Sequence, residues 1–332
     1  SRRRHTRYIS VTGVQTCALP ISIPIIGLVF ASSISYPTEA RTTLCESATS
    51  SSPANHSELR SLPMSFTLPL LSRSMKALVS NGKNDLNLLD LPEPVCGPDD
   101  LIIKTQQIGV CGTDLEIIHN KMDPEYIRYP ATIGHEWTGK VIEIGSNVKG
   151  FDIGQRVVVE GLIPCQKCHE CAIGATNRCL TYDEIGFTRP GGGSEKVLIP
   201  ARMAHKINEN VTVESAQLAE PTCVVMNAYT KADLAPDRKI LIIGDGTIGL
   251  IAATLAKTYK PKFVHMMGLK EGQADMAKRA GVDKFVTNWT DEKYDFIFEA
   301  AGSVQRLEEA LDHMEDRKST RLNSSHTDIS RM

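Results

Sequence analysis

The sequence predicts a mostly β domain followed by a doubly wound parallel α/β sheet. In residues 75–225, short apolar runs alternate with Gly-containing turns, a pattern typical of many short strands. In residues 226–315, apolar runs are separated by helical segments, as in parallel βαβ units. A Gly-rich turn, "GDGTIG", lies between the apolar run "KILII" and a predicted helix, which is the position of such a turn in doubly wound folds.

Each element of the first domain is predicted from its local pattern. The stretch "MKALVSNGKNDLNLLDLPEP" alternates like an edge hairpin and ends in turns bracketed by Pro. "DLIIKTQQIGV" is a predicted strand that leads into "CGTDLEIIHN", where a Gly turn begins a short helix. "GKVIEIGSNVKGFDIGQRVVVEGLI" contains two short strands separated by Gly turns, and "GGGSEKVLIPARMAHKI" supplies more.

The second domain is predicted in the same way. "SAQLAEPTCVVMNAYTKADL" has helical spacing and leads into "RKILIIGDGTIGLIAATLAKTYK", which combines a strand, a turn and a helix. The alternation continues through "KFVHMMG", "GQADMAKRAG", "DKFVTN", "YDFIFEAAGS" and "VQRLEEALDHM". We count four strands before Glu315, whereas a complete sheet of this type has six, so the sheet is expected to be incomplete.

The two ends of the chain fit no element. The DNA that encodes residues 316–332 can, read on its opposite strand, encode residues 5–21, and residues 1–21 and 316–332 both resemble a translated sequencing adapter. Residues 22–74 are interpreted as a disordered leader or as untranslated DNA before a start at Met75. We expect these segments to pack little, and we assign them no role.

The charge of the chain excludes some classes of protein. The formal net charge is −2, but residues 1–21 carry +4 and residues 316–332 carry +2, so residues 22–315 carry −8. A strongly acidic chain is not expected to bind nucleic acid, which requires a basic face. The sequence contains no apolar run of about 18 residues, so we expect no membrane span.

The strongest motif is the cysteine-rich stretch "CQKCHECAIGATNRC". Cys165, Cys168, Cys171 and Cys179 can direct four thiolates at one Zn²⁺ from a folded-back loop, which is the form of a structural zinc site. The alternative is a disulfide cluster, but bridges between cysteines this close in sequence would strain the loop. We therefore predict a structural zinc.

A second, dispersed set of residues predicts another metal site. Cys111 lies in "GVCGTDLE", His135 and Glu136 lie in "IGHEWTGKV", and Glu220 lies in "LAEPTC". Each motif is weak alone, because a single cysteine is more often a small buried apolar residue. Together they offer a thiolate, an imidazole and carboxylates, which is the composition of a catalytic zinc site with an open position.

The third motif predicts a dinucleotide site. The turn carries Gly244, Gly246, Thr247, Ile248 and Gly249, and its glycines would let a pyrophosphate approach the N-terminus of the following helix. The carboxylate expected on the ribose at the end of the next strand is missing, because that position holds Gly268, with Lys270 nearby. The expected cofactor is NAD(P), with a slight preference for NADP.

The order of these motifs (CGTD, GHE, four cysteines, EP, then G-x-G-x-x-G) resembles the zinc-containing medium-chain dehydrogenase/reductase family, in its sorbitol and threonine dehydrogenase-like branch. The resemblance covers Met75 to about Glu315. It implies a GroES-like catalytic domain in residues 75–225 and a truncated Rossmann domain in residues 226–315. It further implies a cytoplasmic zinc-dependent alcohol or polyol dehydrogenase, a homo-dimer or homo-tetramer at full length, with two zinc ions per chain.

The resemblance also implies roles for the dispersed residues. Cys111, His135 and a carboxylate would bind the catalytic zinc. Glu220 matches the position of the third ligand, and Glu136 matches a Glu that binds or backs the metal, so their roles may be exchanged.

Two further residues of the CGTD motif would assist the site. Asp114 would orient His135, and Thr113 would begin a proton relay. Many relatives continue that relay with a His where this chain has Glu116, so its far end is open.

The missing strands lead us to expect that the chain as it stands is inactive, with its last strand left as an unpaired edge. Three alternatives remain at this point. A zinc-knuckle nucleic-acid module fits the cysteines but not the acidic charge or the Gly-rich turn. A zinc-free quinone-reductase-like protein would not need the dispersed ligands, and an inactive structural member of the family would not retain them.

Overall fold

The computed structural model describes residues 73–232 and 234–315, together with the backbone of two short strands at 9–10 and 321–324. The described strands form sheets of six, five, three and two strands. In chain order the strands are β1 (Ile9–Ser10), β2 (Ser74–Ser80), β3 (Asn87–Pro92), β4 (Asp100–Ile108), β5 (Ala131–Thr132), β6 (Trp137–Ile144), β7 (Arg156–Val159), β8 (Leu162–Ile163), β9 (Asp183–Glu184), β10 (Lys196–Pro200), β11 (Ala204–Lys206), β12 (Lys239–Ile243), β13 (Phe263–Met267), β14 (Lys284–Val286), β15 (Phe296–Glu299) and β16 (Arg321–Ser324). The α-helices are α1 (Gly112–Ile118), α2 (His169–Ala172), α3 (Val213–Gln217), α4 (Ala219–Ala232), α5 (Thr247–Ala256), α6 (Ala274–Arg279) and α7 (Val304–Leu311).

The first part of the chain is antiparallel β structure, as its alternating pattern predicts. A five-stranded sheet has the order β10-β4-β6-β7-β11, and the predicted hairpin pairs β2 with β3 beside β5. Inward-facing apolar side chains of the five-stranded sheet form one core, which includes Leu101, Ile103, Trp137 and Val157. Successive residues of a strand point to opposite faces, so this core lies on one face of the sheet.

The second part is a parallel sheet with the order β14-β13-β12-β15-β16-β1. Apolar side chains cover both of its faces. Ile240 and Ile242 of β12 point toward the core that contains α4 and α5, whereas Leu241 and Ile243 point toward α7. A strand that is buried on both faces has apolar residues at successive positions, and this is why β12 has the continuous apolar sequence "KILII". The predicted doubly wound sheet and its four strands before Glu315 are confirmed.

One expectation about this sheet is wrong. β15 is not left as an edge, because β16 pairs with it in parallel, from Phe296 opposite Arg321 to Glu299 opposite Ser324, and β1 pairs with β16. Parallel pairing uses backbone N–H and C=O groups, so the polar and basic side chains of residues 316–332 do not prevent β16 from pairing with β15. These two strands also depart from the expectation that the end segments pack little, and for the rest of residues 1–72 and 316–332 that expectation lies outside the described residues.

Helix α4 connects the two parts of the chain. Its first turn contains Glu220, and its later residues Val225, Ala228 and Tyr229 are buried in the core of the parallel sheet. The Tyr229 hydroxyl donates a hydrogen bond to the Ala252 carbonyl oxygen at 2.7 Å, which fixes α4 against α5. The expected boundary between residues 225 and 226 falls inside this helix. In the part of the chain that the structure describes, no helix has the length and apolarity needed to cross a membrane.

Candidate functional site

The four-cysteine loop forms a compact group of sulfur atoms. The Sγ atoms of Cys165, Cys168, Cys171 and Cys179 all lie within 4.8 Å of one another. Two of these separations are 4.0 Å, from Cys165 to Cys171, and 3.9 Å, from Cys168 to Cys179. Four thiolates at about 2.3 Å from one Zn²⁺ in a tetrahedron stand about 3.8 Å apart, so the loop has the right size for zinc. All four are free cysteines, and the separations are about twice the S–S bond length of a disulfide.

The surroundings of two of the four cysteines favour the deprotonated form that metal binding requires, whereas desolvation and the neighbouring thiols raise the pKa of Cys171. A hydrogen bond from the Thr181 side chain, helped by the Lys167 backbone N–H, lowers the pKa of Cys165 to about 5. Hydrogen bonds from backbone N–H groups, that of Cys171 foremost, lower the pKa of Cys168. Thiolates are the ligand form for zinc, so this donor set fits a closed structural site.

The second site begins at the N-terminus of α1. Cys111 is the N-cap residue, and its backbone N–H donates to the Asp114 carboxylate at 2.8 Å while its Sγ accepts from the Thr113 N–H at 3.4 Å. The reciprocal bonds form a capping box, in which a thiol takes the place of the usual hydroxyl. The motif "CGTD" therefore fixes the direction of the Cys111 side chain.

His135 and Glu136 lie directly before β6, where Gly134 turns the chain. Gly134 has φ = +100°, and a Cβ there would lie 2.3 Å from the Ile108 side chain and 2.9 Å from the Gly193 backbone nitrogen. Only glycine fits both constraints, so the turn holds the two following side chains in place. Both are buried.

The turn brings three predicted ligands together. The potential ligand atoms of Cys111, His135 and Glu136 lie within 4.8 Å of one another, and all three residues are buried. Among the described residues, His135 Nε2 and both carboxylate oxygens of Glu136 have no hydrogen-bond partner. Buried polar atoms without partners are costly, and a bound cation would satisfy them. A thiolate, an imidazole and a carboxylate leave a fourth position open, so the donor set fits a catalytic zinc.

Glu220 lies near this group but is not part of it. It is partly buried at the start of α4, and its Oε2 has no hydrogen-bond partner among the described residues. Burial foremost, and then the charge of Glu220, raise the pKa of Glu136 to about 8. Burial also raises the pKa of Glu220. Two neighbouring carboxylates with raised pKa values would both be stabilised in their ionised form by a cation bound between them.

Asp114, which is expected from the family resemblance to orient His135, lies beside it. Asp114 Oδ1 lies 3.6 Å from His135 Nδ1, and the same carboxylate accepts a bond from the Gly134 N–H. Burial lowers the pKa of His135, but the side chains of Asp114 and Cys111 outweigh it, so that this pKa is well above its usual value. In a zinc site such a carboxylate orients the imidazole through its second nitrogen.

Two residues near the site had not been identified from the sequence. Gln217 is buried. A Cβ built on Gly109 would lie 2.1 Å from Gln217 Nε2 and 2.6 Å from Glu136 Oε2, so these two side chains meet the same point of the backbone. Burial raises the pKa of Glu184, on which the charges of His135 and Glu220 also act. Neither residue belongs to a recognisable motif, since both reach the site only through the fold.

The Gly-rich turn follows β12 as predicted. Gly244 has φ = +110°, and a Cβ on it would lie 2.8 Å from the backbone of Ala300 and Ala301. A Cβ on Gly249 would lie 1.9 Å from the Gly244 carbonyl oxygen, so this glycine allows α5 to pack against the turn. A Cβ on Gly246 would meet no atom within 4 Å, so that position faces open space at the N-terminus of α5.

The remaining residues predicted for the coenzyme divide into two groups. Ile248 is buried in the core of the parallel sheet, and Thr247 is the partly buried first residue of α5. Gly268 follows β13, where a Cβ would lie 2.3 Å from Asp245 Oδ2, and Lys270 is exposed.

Alanine substitutions at two glycines of the turn, Gly246 and Gly249, should have opposite effects on stability and coenzyme binding. Gly249→Ala should destabilise the protein by about 2 kcal/mol or more, because its methyl group would overlap the Gly244 carbonyl. Gly246→Ala has room and an ordinary φ of −79°, so it should leave the melting temperature within a few degrees of wild type but weaken coenzyme binding. Thermal melts and calorimetric titration with NADH check both. Equal effects of both substitutions on stability would contradict this account of the turn.

Comparison with known proteins agrees with the predicted fold and family. The alcohol dehydrogenase GroES-like domain family matches residues 97–209. L-threonine 3-dehydrogenase of Yersinia pestis (strain Pestoides F) is 32% identical over 240 residues, which are 72% of this chain and 70% of the relative. The chain therefore belongs to the zinc-containing medium-chain dehydrogenase/reductase family of oxidoreductases, as its motifs had suggested.

Solved structures show the same fold. Acetophenone reductase from Geotrichum candidum NBRC 4597, in complex with NAD, is 29% identical, with a TM-score of 0.65 over 73% of each chain. Galactitol-1-phosphate dehydrogenase from Escherichia coli is 26% identical, with a TM-score of 0.67 over 76% of this chain and 75% of that one. The predicted GroES-like and Rossmann architecture is confirmed.

Proposed function

We propose that this protein transfers a hydride between an alcohol or polyol, of the secondary-alcohol or sugar-alcohol type, and NAD(P), using one catalytic and one structural zinc. The observation that carries the proposal is the buried group of Cys111, His135 and Glu136, whose ligand atoms lie within 4.8 Å of one another. The activity of L-threonine 3-dehydrogenase, acetophenone reductase and galactitol-1-phosphate dehydrogenase supports the same class of substrate.

Helix α4 contacts both the proposed metal site and the core behind the coenzyme turn. Its first turn places Glu220 close enough to Glu136 to raise the pKa of that residue. Its buried residues, such as Val225 and Tyr229, pack in the same core as Ile248 of the Gly-rich turn. One rigid helix thus relates the ligand group to the coenzyme turn, and positioning of reactants is a large part of hydride-transfer catalysis.

Each residue of the ligand group has a separate task. A bound zinc supplies a Lewis acid that polarises the substrate oxygen and lowers its pKa. Cys111, His135 and Glu136 would hold the metal, and Asp114, whose Oδ1 lies 3.6 Å from His135 Nδ1, would orient the imidazole. The Thr113 hydroxyl lies 3.6 Å from Cys111 Sγ, where it would accept a hydrogen bond from the alcohol and pass its own proton on as the first link of a relay.

Between the two glutamates, we assign the third ligand position to Glu136 and the neighbouring position to Glu220. Glu136 is within the ligand group and fully buried, whereas Glu220 is only partly buried and outside it. This order reverses the one that the family resemblance favours.

A cytoplasmic location and a homo-dimeric or homo-tetrameric assembly belong to this proposal as well. A cysteine loop that binds a metal instead of forming disulfides is typical of a reducing compartment.

Isotope transfer tests the proposed function. The protein is incubated with NAD or NADP and a panel of secondary alcohols and polyols that carry deuterium on the carbinol carbon. We expect deuterium in the reduced nicotinamide with at least one alcohol, and none after the catalytic zinc is removed with a chelator. The same assay decides between this proposal and the sequence-based expectation that the chain as it stands is inactive. No transfer from any alcohol would contradict the proposal for this chain.

A further inference from the structure

The end of β13 carries no side chain. The residue there is Gly268, and a Cβ on it would lie 2.3 Å from Asp245 Oδ2, 2.8 Å from Asp245 Cγ and 2.4 Å from Phe285 Cζ. A side chain at this position would have to displace Asp245 and Phe285 from where they lie. With glycine here, the space of the missing side chain is taken up in part by the Asp245 carboxylate.

The register of the sheet explains why Asp245 reaches this place. Ile243 of β12 lies opposite Met267 of β13, and the Gly244 N–H donates to the Met267 carbonyl oxygen at 2.8 Å. Asp245 is the next residue of the turn, and Gly268 is the next residue after β13. The two strands end side by side, so a side chain from the turn of β12 stands at the carboxyl end of β13.

That position has a known chemical meaning in dinucleotide-binding sheets. A carboxylate at the end of the second strand accepts hydrogen bonds from the ribose hydroxyls of NAD, and it repels a 2′-phosphate. A carboxylate delivered from the Gly-rich turn offers the same acceptors and the same charge at the same end of the sheet. Lys270 could offset the charge, but it is exposed and screened by water, whereas Asp245 is partly buried.

We propose that Asp245 is a specificity-determining residue that selects NAD over NADP, in place of the carboxylate that Gly268 cannot supply. The inference rests on the proposed function, because it concerns the coenzyme of that reaction. It revises the sequence-based expectation of a preference for NADP, which took Gly268 and Lys270 into account but not the side chain that lies against Gly268.

Binding measurements test the proposal without turnover. Dissociation constants for NADH and NADPH are measured by calorimetry on the full chain, as wild type and as Asp245→Asn and Asp245→Ala. Asp275→Asn is the matched control, because it removes an exposed acid of the same parallel-sheet domain on α6. Thermal melts check that each variant is folded.

We expect the wild type to bind NADH more tightly than NADPH. Both Asp245 variants should weaken NADH and strengthen NADPH, changing the ratio of dissociation constants by about tenfold or more, since a charged hydrogen-bond acceptor is lost and a like-charge contact is relieved. Asp275→Asn should leave the ratio unchanged. Adenosine 2′-phosphate should compete with NADPH only weakly in the wild type and more strongly in Asp245→Ala.

Two results would overturn the inference. A wild type that prefers NADPH, or a ratio that Asp245→Asn and Asp245→Ala leave unchanged, would show that Asp245 does not select the coenzyme while the proposed function stands. A wild type that binds neither coenzyme would overturn the proposed function and this inference with it.

Discussion

Cys168→Ser should remove one of two zinc ions per chain and lower the melting temperature markedly. The serine hydroxyl cannot replace a thiolate in a closed tetrahedral site, so the metal is lost and the loop loses its cross-link. If the site contributes about 4 kcal/mol to the free energy of unfolding, the melting temperature falls by roughly 10 °C. Elemental analysis and a thermal melt measure the two effects.

Cys223→Ser is the matched control for this experiment. Cys223 is also a free cysteine, but it is exposed on α4 and outside both ligand groups. Its replacement should keep two zinc ions and a melting temperature close to that of the wild type. The structural-zinc assignment would be contradicted by unchanged zinc in Cys168→Ser, or by disulfides among the four cysteines in protein purified under reducing conditions.

Glu136→Gln should remove the catalytic zinc, leave the cysteine-bound zinc, and lower kcat/KM by roughly a thousandfold or more, because the metal supplies several kcal/mol of transition-state stabilisation. The substitution keeps the shape of the side chain, so the effect reports the ligand and not a cavity. The zinc-free form should not be destabilised, because the variant removes a buried carboxylate whose oxygens have no hydrogen-bond partner among the described residues. Zinc content, steady-state kinetics and a melt after chelation check the three statements.

Glu220→Gln distinguishes the two glutamates. We expect it to retain two zinc ions and part of its turnover, since Glu220 lies outside the group of ligand atoms. Glu184→Gln, which changes a third carboxylate near His135, should also retain both metals. If Glu220→Gln loses the catalytic zinc and Glu136→Gln does not, the assignment of the third ligand must be reversed.

Much of the fold could be predicted because its signals are local. Alternating apolar residues predict β2 and β3, and an apolar run before a Gly-rich turn predicts β12 and α5. The four-cysteine loop was equally clear, because one short segment carries all of its ligands. For Cys111, His135 and Glu136, the sequence predicted only that their side chains are of the types that bind zinc. The fold brings their ligand atoms together.

Other features depend on contacts between distant segments. Gln217 and Glu184 reach the site from α3 and β9, and no motif marks them. The carboxylate beside Gly268 comes from Asp245, which only the register of β12 on β13 reveals. The pairing of β16 with β15 was not predicted, because backbone hydrogen bonds join the two strands and the side-chain pattern of residues 321–324 does not mark them as a strand.

We propose that the chain holds two different zinc sites, one closed by four thiolates and one open at Cys111, His135 and Glu136. Zinc X-ray absorption of the Cys168→Ser protein tests it most directly, because only the second metal should remain. We expect about one sulfur near 2.3 Å and two or three nitrogen or oxygen atoms near 2.0–2.1 Å. A remaining zinc surrounded by sulfur alone, or no remaining zinc in the folded protein, would contradict the account.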